Sequence, residues 1–159
     1  MLVNKEYILK WIEKSRNEED YFDKFVYGFF ALNALYSEYY LSYSDERKAI
    51  KSLLNDNYEM NISAFRQIFD LPEYEYFCNR DAIMNMRTHS VSDLDIANAE
   101  KIREKSPKGS TRAMLMILYQ IRCNLFHGDK SFVNSNDQEI MKNASELLLR
   151  YNEIFSGNI

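Results

Sequence analysis

Between Ser110 and Gly128 the chain spells a helix that is apolar almost all the way round. At about 100° per residue, Met114, Leu115, Ile117, Leu118, Ile121, Leu125 and Phe126 cover nearly the whole helical circle. A helix with no wet face has to be surrounded, so the rest of the chain must supply elements that wrap it. With 4 Gly and 2 Pro in 159 residues, few positions can break a helix. The expectation is an all-α fold: one domain over residues 1–159, an up-down bundle of about five core helices.

The flanking sequence supplies those helices. Lys5 to Arg16 follows a capping Asn4, with Ile8, Trp11, Ile12 and Ser15 at helical spacing. Tyr21 to Tyr43 carries a stripe of Phe22, Phe25, Val26, Phe29, Leu32, Asn33, Tyr36 and Tyr40, and Gly28 in its middle marks a close helix contact. Ser44 is placed to cap a third helix, with Asp45 and Glu46 in its first turn and Ala49, Ile50, Leu53 and Leu54 on its apolar face. Ser92 and Asp95 form a capping box that opens a helix to about Lys105. Ser106 to Ser110 reads as a loop, and Ser110 or Thr111 as the cap of the apolar helix. Ser135 with Gln138 opens the last helix, which runs to about Phe155. Residues 55–90 read as an irregular insertion: a short helix around Ile62 to Phe69, then Glu73 to Phe77 alternating as a strand or a helical turn.

Composition narrows the partners. No stretch is long and apolar enough to span a bilayer, and the N-terminus lacks the basic-then-apolar pattern of a signal peptide. Cys78 and Cys123 have no metal or redox spacing, so the expected setting is cytoplasmic, with no membrane, metal or cofactor. The net charge of −4 argues mildly against nucleic acid, but the charge is unevenly spread. Residues 101–130 hold seven Lys or Arg against two acids, whereas the first hundred residues hold 11 against 18. The one basic segment therefore coincides with the apolar helix, and its field would draw in an anion.

The polar residues of that helix are costly to bury and need partners. Gln120, Asn124 and His127 form one strip, while Arg122 lies about 140° round the helix from His127. Either the last turn unwinds before Gly128, or the Arg122 and His127 that cooperate belong to two chains across a symmetric interface, the arrangement preferred here.

The segment Ile121-Arg122-Cys123-Asn124-Leu125-Phe126-His127-Gly128 resembles the motif of the HEPN superfamily: Arg, four to six residues, then His at the end of a core helix. Phe22-Asp23-Lys24-Phe25 and Phe30-Ala31-Leu32-Asn33-Ala34-Leu35-Tyr36 are similar to the long second helix of bacterial members. The resemblance implies a homodimer that cleaves RNA without a metal, often as a toxin, defence or stress nuclease held by an antitoxin or regulatory protein; other members only bind RNA or protein partners. Its site would comprise Arg122, His127 and Asn124 as catalytic residues. Cys123 stands where active members usually carry a polar residue. These residue types suit the chemistry. A histidine takes a 2′-hydroxyl proton near neutral pH. An arginine fork grips phosphate oxygens and stabilises transition-state charge. Asn124 would orient the imidazole or hydrogen-bond the substrate. Lys108, Arg112, Lys130, Asn33 and Tyr36 complete the expected substrate-binding set.

Each residue also has a plain structural use. His127 can satisfy carbonyls at a helix end. Arg122 can pair with a buried carboxylate, Glu38 or Asp23 being the nearest candidates in that reading. Asn33 can be a core amide, and His89 a surface residue.

Overall fold

The computed structural model describes residues 4–39, 45–126 and 135–157, the side chains of 38, 39 and 135 excepted. Eight helices fill them: α1 (Lys5–Asn17), α2 (Tyr21–Tyr39), α3 (Glu46–Asp56), α4 (Tyr58–Ile68), α5 (Pro72–Cys78), α6 (Asp93–Arg103), α7 (Pro107–Phe126) and α8 (Ser135–Ser156). The all-α expectation holds.

Local chemistry sets most of the helix ends. The Asn4 side chain accepts from the Tyr7 amide and starts α1. Ser92 and Asp95 make the reciprocal capping box of α6. Asp45, expected inside the first turn of α3, is instead its N-cap and accepts from the Arg47 amide. Helix α7 begins at Pro107, earlier than expected, because proline is preorganised for a first turn. Ser110 is therefore inside the helix, where its hydroxyl bonds the Lys101 carbonyl and ties α7 to the end of α6.

The segment 55–90 is not an irregular insertion. Helix α4 wedges between α7 and α8, and α5 lies against α6 and α8. Of the strand and the helical turn left open at 73–77, the structure has the helix: Tyr74, Phe77 and Cys78 all face inward. Pro72 at the first turn and acidic Glu73 and Glu75 after it favour the helix. The longest described stretch without a helix is residues 79–92, and it folds around one isolated antiparallel bridge, Asn85 to Ser90. His89 is exposed there with φ 53°.

Two helices organise the core. Helix α7 packs on α3, α4 and α6, and α8 packs on α1, α2, α4 and α5. Leu115, Leu118 and Ile121 of α7 join Leu148, Tyr151 and Phe155 of α8, Phe25, Leu32 and Leu35 of α2, and Ile50 and Leu53 of α3 in one apolar cluster. The fully buried Tyr151 hydroxyl donates to Asn61 Oδ1 at 2.9 Å, and Asn61 Nδ2 donates back to the Asn57 and Leu54 carbonyls. This arrangement joins α8 to the start of α4 with every buried polar atom of the link used. No helix of the described residues is long and apolar enough to cross a membrane.

Gly28 does mark a close contact. A Cβ there would lie 3.2 Å from Leu148 Cδ2 and 3.5 Å from Ser15 Oγ, and the Gly28 carbonyl accepts from Asn152 Nδ2 at 2.8 Å. A Cβ there needs the Leu148 side chain to give by a few tenths of an ångström, and a branched side chain needs more. Gly28→Val is therefore expected to cost about 1–3 kcal/mol, read as a lower urea midpoint at unchanged slope. Unaltered stability would show that the α2–α8 contact is soft.

Candidate functional site

The described part of the sequence motif, Ile121 to Phe126, lies on the last two turns of α7, where that helix faces α2 and the start of α3. Arg122 is half-buried there, its guanidinium 4.5 Å from the Phe126 ring centre, 5.5 Å from Phe29 and 5.7 Å from Tyr119. Aromatic faces hold a cation without consuming its N–H donors. One donor, Nη2, reaches Glu46 Oε1 at 3.3 Å, and Nε is buried with no partner among the described residues. The structural carboxylate beside Arg122 is thus Glu46; Asp23 is exposed and points elsewhere in the fold. A single long contact between groups this exposed contributes roughly 1 kcal/mol or less. It is weak enough for a phosphate, which offers two oxygens to the fork, to displace it.

Glu46 connects Arg122 to two of the expected binding residues. Its Oε2 accepts from the Tyr36 hydroxyl at 3.0 Å, and that hydroxyl accepts from Asn33 Nδ2 at 2.8 Å. Asn33, Tyr36, Glu46 and Arg122 form one polar chain from α2 across α3 to α7. Burial pushes the Tyr36 phenol well above the usual tyrosine range, opposed by its bond from Asn33 and raised further by Glu46. Burial likewise pushes Tyr119 up to about 12, with Cys123 and Glu46 adding and Arg122 opposing. Neither tyrosine loses a proton near neutral pH, so the pair offers rings and hydroxyl bonds rather than a general base.

Helices α2 and α7 meet here through side chains rather than by close backbone packing. Between them lies a cavity of about 160 Å³, lined by Phe25, Val26, Phe29, Phe30, Asn33, Arg122, Leu125 and Phe126.

Asn124 is placed differently from the expected catalytic support. It is fully buried, on the side of α7 away from Arg122. Its Oδ1 accepts from the Met86 amide at 3.0 Å and from Gln120 Nε2 at 2.9 Å, and its Nδ2 donates to the Met84 carbonyl at 2.7 Å. The polar strip of Gln120 and Asn124 is real, and its partner is the backbone of the 79–92 segment.

The basic residues separate into two groups. Arg112 lines a groove of about 260 Å³ with Arg47 and Lys51 of α3 and Lys101 of α6, and no carboxylate lines it. Lys101 also pairs with Glu104 at 2.7 Å. A Cβ at Gly109 would meet Lys101 Cε, the far end of a flexible side chain that can swing aside. Arg47 closes the groove toward the motif: its guanidinium lies 5.1 Å from the Tyr119 ring, the same ring that Arg122 touches. Lys108 is apart from it, exposed over Tyr58 of α4. The sequence reading missed Arg47 and Lys51. Their signal was their i, i+4 spacing at the border of the apolar face of α3, which says that they share a face but not what faces them.

His127 and Lys130 lie outside the described residues, as do Tyr40 and Ser44. No three His, Cys, Asp or Glu side chains converge on a metal-sized site among the described residues. Compared with known proteins, the chain matches no family model, no curated protein and no solved structure.

Proposed function

We propose that this chain binds RNA along the groove between α3, α6 and α7, delivers a backbone phosphate to Arg122, and uses His127 to cleave it as a metal-independent endoribonuclease of HEPN type. The observation that carries the reading is the run of cations from Lys101 and Arg112 through Lys51 and Arg47 to Arg122, drawn from three helices, with no acid lining the groove. Lys101 is paired with Glu104, which leaves Arg47, Lys51 and Arg112 with no carboxylate in the groove's lining, a field that favours an anion on a chain of net charge −4. In this reading phosphate replaces Glu46 on Arg122, His127 takes the 2′-hydroxyl proton, and the new bond to phosphorus expels the 5′-oxygen, leaving a 2′,3′-cyclic phosphate. Two copies, each presenting the end of α7, supply Arg122 from one chain and His127 from the other. With no relative found, the HEPN character rests on the residues of the motif itself.

A second reading keeps the binding and drops the cleavage. It is favoured by the occupied state of the motif: Glu46 already neutralises Arg122, and Asn124 is committed to the 84–86 backbone.

Binding of a labelled single-stranded RNA at increasing salt tests the shared premise. If the four groove cations contact phosphates, the log–log slope is expected near roughly −3, and Lys51→Ala with Arg112→Ala should flatten it by roughly 1 to 1.5. A wild-type slope unchanged by the double variant would remove the groove from the interface. The same RNA incubated in EDTA separates the two readings: cyclic phosphate ends from the wild type, absent with His127→Ala, establish the nuclease, and intact RNA at saturating protein leaves the binding module.

A further inference from the structure

We infer that the cavity between α2 and the end of α7 is a pocket for one unstacked pyrimidine base, whose phosphate rests on Arg122. The inference builds on the RNA reading and names the part of the substrate that the basic groove does not read.

Size is the first argument. The cavity measures about 160 Å³. Protein cavities of about 150 Å³ admit a single benzene ring. A six-membered pyrimidine matches that space, and a purine would leave part of its fused ring system outside at the open rim.

The walls are the second argument. Phe25, Phe29, Phe30 and Phe126 surround the space with aromatic rings, and Phe30 and Phe126 remain 40% and 57% exposed at its edge. Phe126 packs on the Arg122 guanidinium and Phe30 on Trp11, yet each keeps ring surface open at the cavity edge, and unpaired RNA bases are commonly received by such rings.

The third argument is polarity. Only Asn33 and Arg122 bring polar side chains to the lining. Arg122 Nε is a buried donor with no described partner, an expensive omission in an empty site. A turn of the guanidinium toward the cavity as Glu46 is displaced would bring this donor to the O2 carbonyl that cytosine and uracil share. Asn33 is held in orientation by Tyr36 and can present its amide to the base edge. The same guanidinium retains Nη donors for the adjoining phosphate, so base and backbone are read by one side chain.

The chain carries its own reporter. Trp11 is the sole tryptophan, and its ring lies 4.8 Å from that of Phe30, which lines the cavity. Titration with cytidine monophosphate should change Trp11 emission saturably. Adenosine monophosphate should need at least tenfold higher concentration, as should the cytidine nucleotide with Val26→Phe, which fills the cavity. Phe126→Ala, a change at an exposed position that the fold tolerates, should also weaken the response. In parallel, a short RNA with one cytidine is compared with the same RNA made abasic at that position. Wild type should prefer the intact strand several-fold, and Val26→Phe should bind both equally. A response to the cytidine nucleotide with no affinity for either RNA upholds the pocket and removes the RNA reading. Equal affinity of the wild type for intact and abasic RNA, with no response to the nucleotide, overturns the pocket and leaves the RNA reading standing. Loss of self-association in Val26→Phe without any nucleotide response also overturns it, and assigns the cavity to a side chain of a second copy.

Discussion

An equal mixture of the Arg122→Ala and His127→Ala proteins is expected to recover RNA cleavage that neither variant has alone. Each single change removes one half of the proposed chemistry. Loss of the arginine withdraws the charge that stabilises the transition state, and loss of the histidine withdraws the proton acceptor; either should lower the rate by roughly 10²- to 10⁴-fold. On an ideal straight helix two residues at this spacing lie about 140° apart, so a helix that continued unbroken through both positions would not present them to one phosphate. If each site takes its arginine and its histidine from different copies, a mixed dimer holds one intact site and one doubly defective site. Random exchange makes half of the dimers mixed, so the mixture should reach about a quarter of wild-type activity. Activity that stays at the single-variant level after verified subunit exchange would sink the composite site and leave an intrachain arrangement. Arg122→Lys is an informative companion. It keeps the charge but loses the planar fork and the stacking on Phe126, so it should restore binding better than cleavage.

The second large effect concerns Asn124, and it falls on stability. Asn124→Ala leaves the Met86 amide, the Met84 carbonyl and the Gln120 amide without their shared partner. The expected loss is about 3 kcal/mol, reduced to the extent that water reaches the half-exposed 84–86 backbone. Proteolysis should then cut between Asn79 and Ser92 before it cuts elsewhere. A variant that melts like the wild type, keeps that segment protected and yet loses cleavage would return Asn124 to a role in the chemistry. Asn124→Asp should be nearly as damaging, because a carboxylate cannot donate to the Met84 carbonyl and would be buried as an uncompensated charge.

How far these features could be read from the sequence depended on how local their causes are. The Asn4 and Ser92 caps and the Gly28 contact were legible because each rests on a few neighbouring residues or on one missing side chain. Helix α5 was legible only as one of two alternatives, because Glu73 to Phe77 satisfies a period of two as well as a period of 3.6, and burial against α6 and α8 decided between them. The site was half legible. The apolar surroundings of Arg122, Gln120 and Asn124 showed that all three need partners, but Glu46 is 76 residues from Arg122 and the Met84 carbonyl is 40 from Asn124. The groove was the least visible, since Arg47 and Arg112 become neighbours only when α3, α6 and α7 pack. A charge count along the chain located Arg112 but assigned Arg47 and Lys51 to an acidic half.

The position of α8 governs the order in which the protein can assemble. The helix that holds α1 and α2 in place is the last described one in the chain, and the Asn152 bond to the Gly28 carbonyl spans 124 residues. During synthesis at about 5–20 residues per second, the α1–α2 hairpin waits roughly 6 to 25 s for that partner. Throughout the wait Phe22, Phe25, Phe29 and Leu32 lack the surface that later buries them. A nascent chain in this condition is a natural client for chaperones that hold exposed aromatic helices, and its yield should depend on their supply more than on the final stability of the fold.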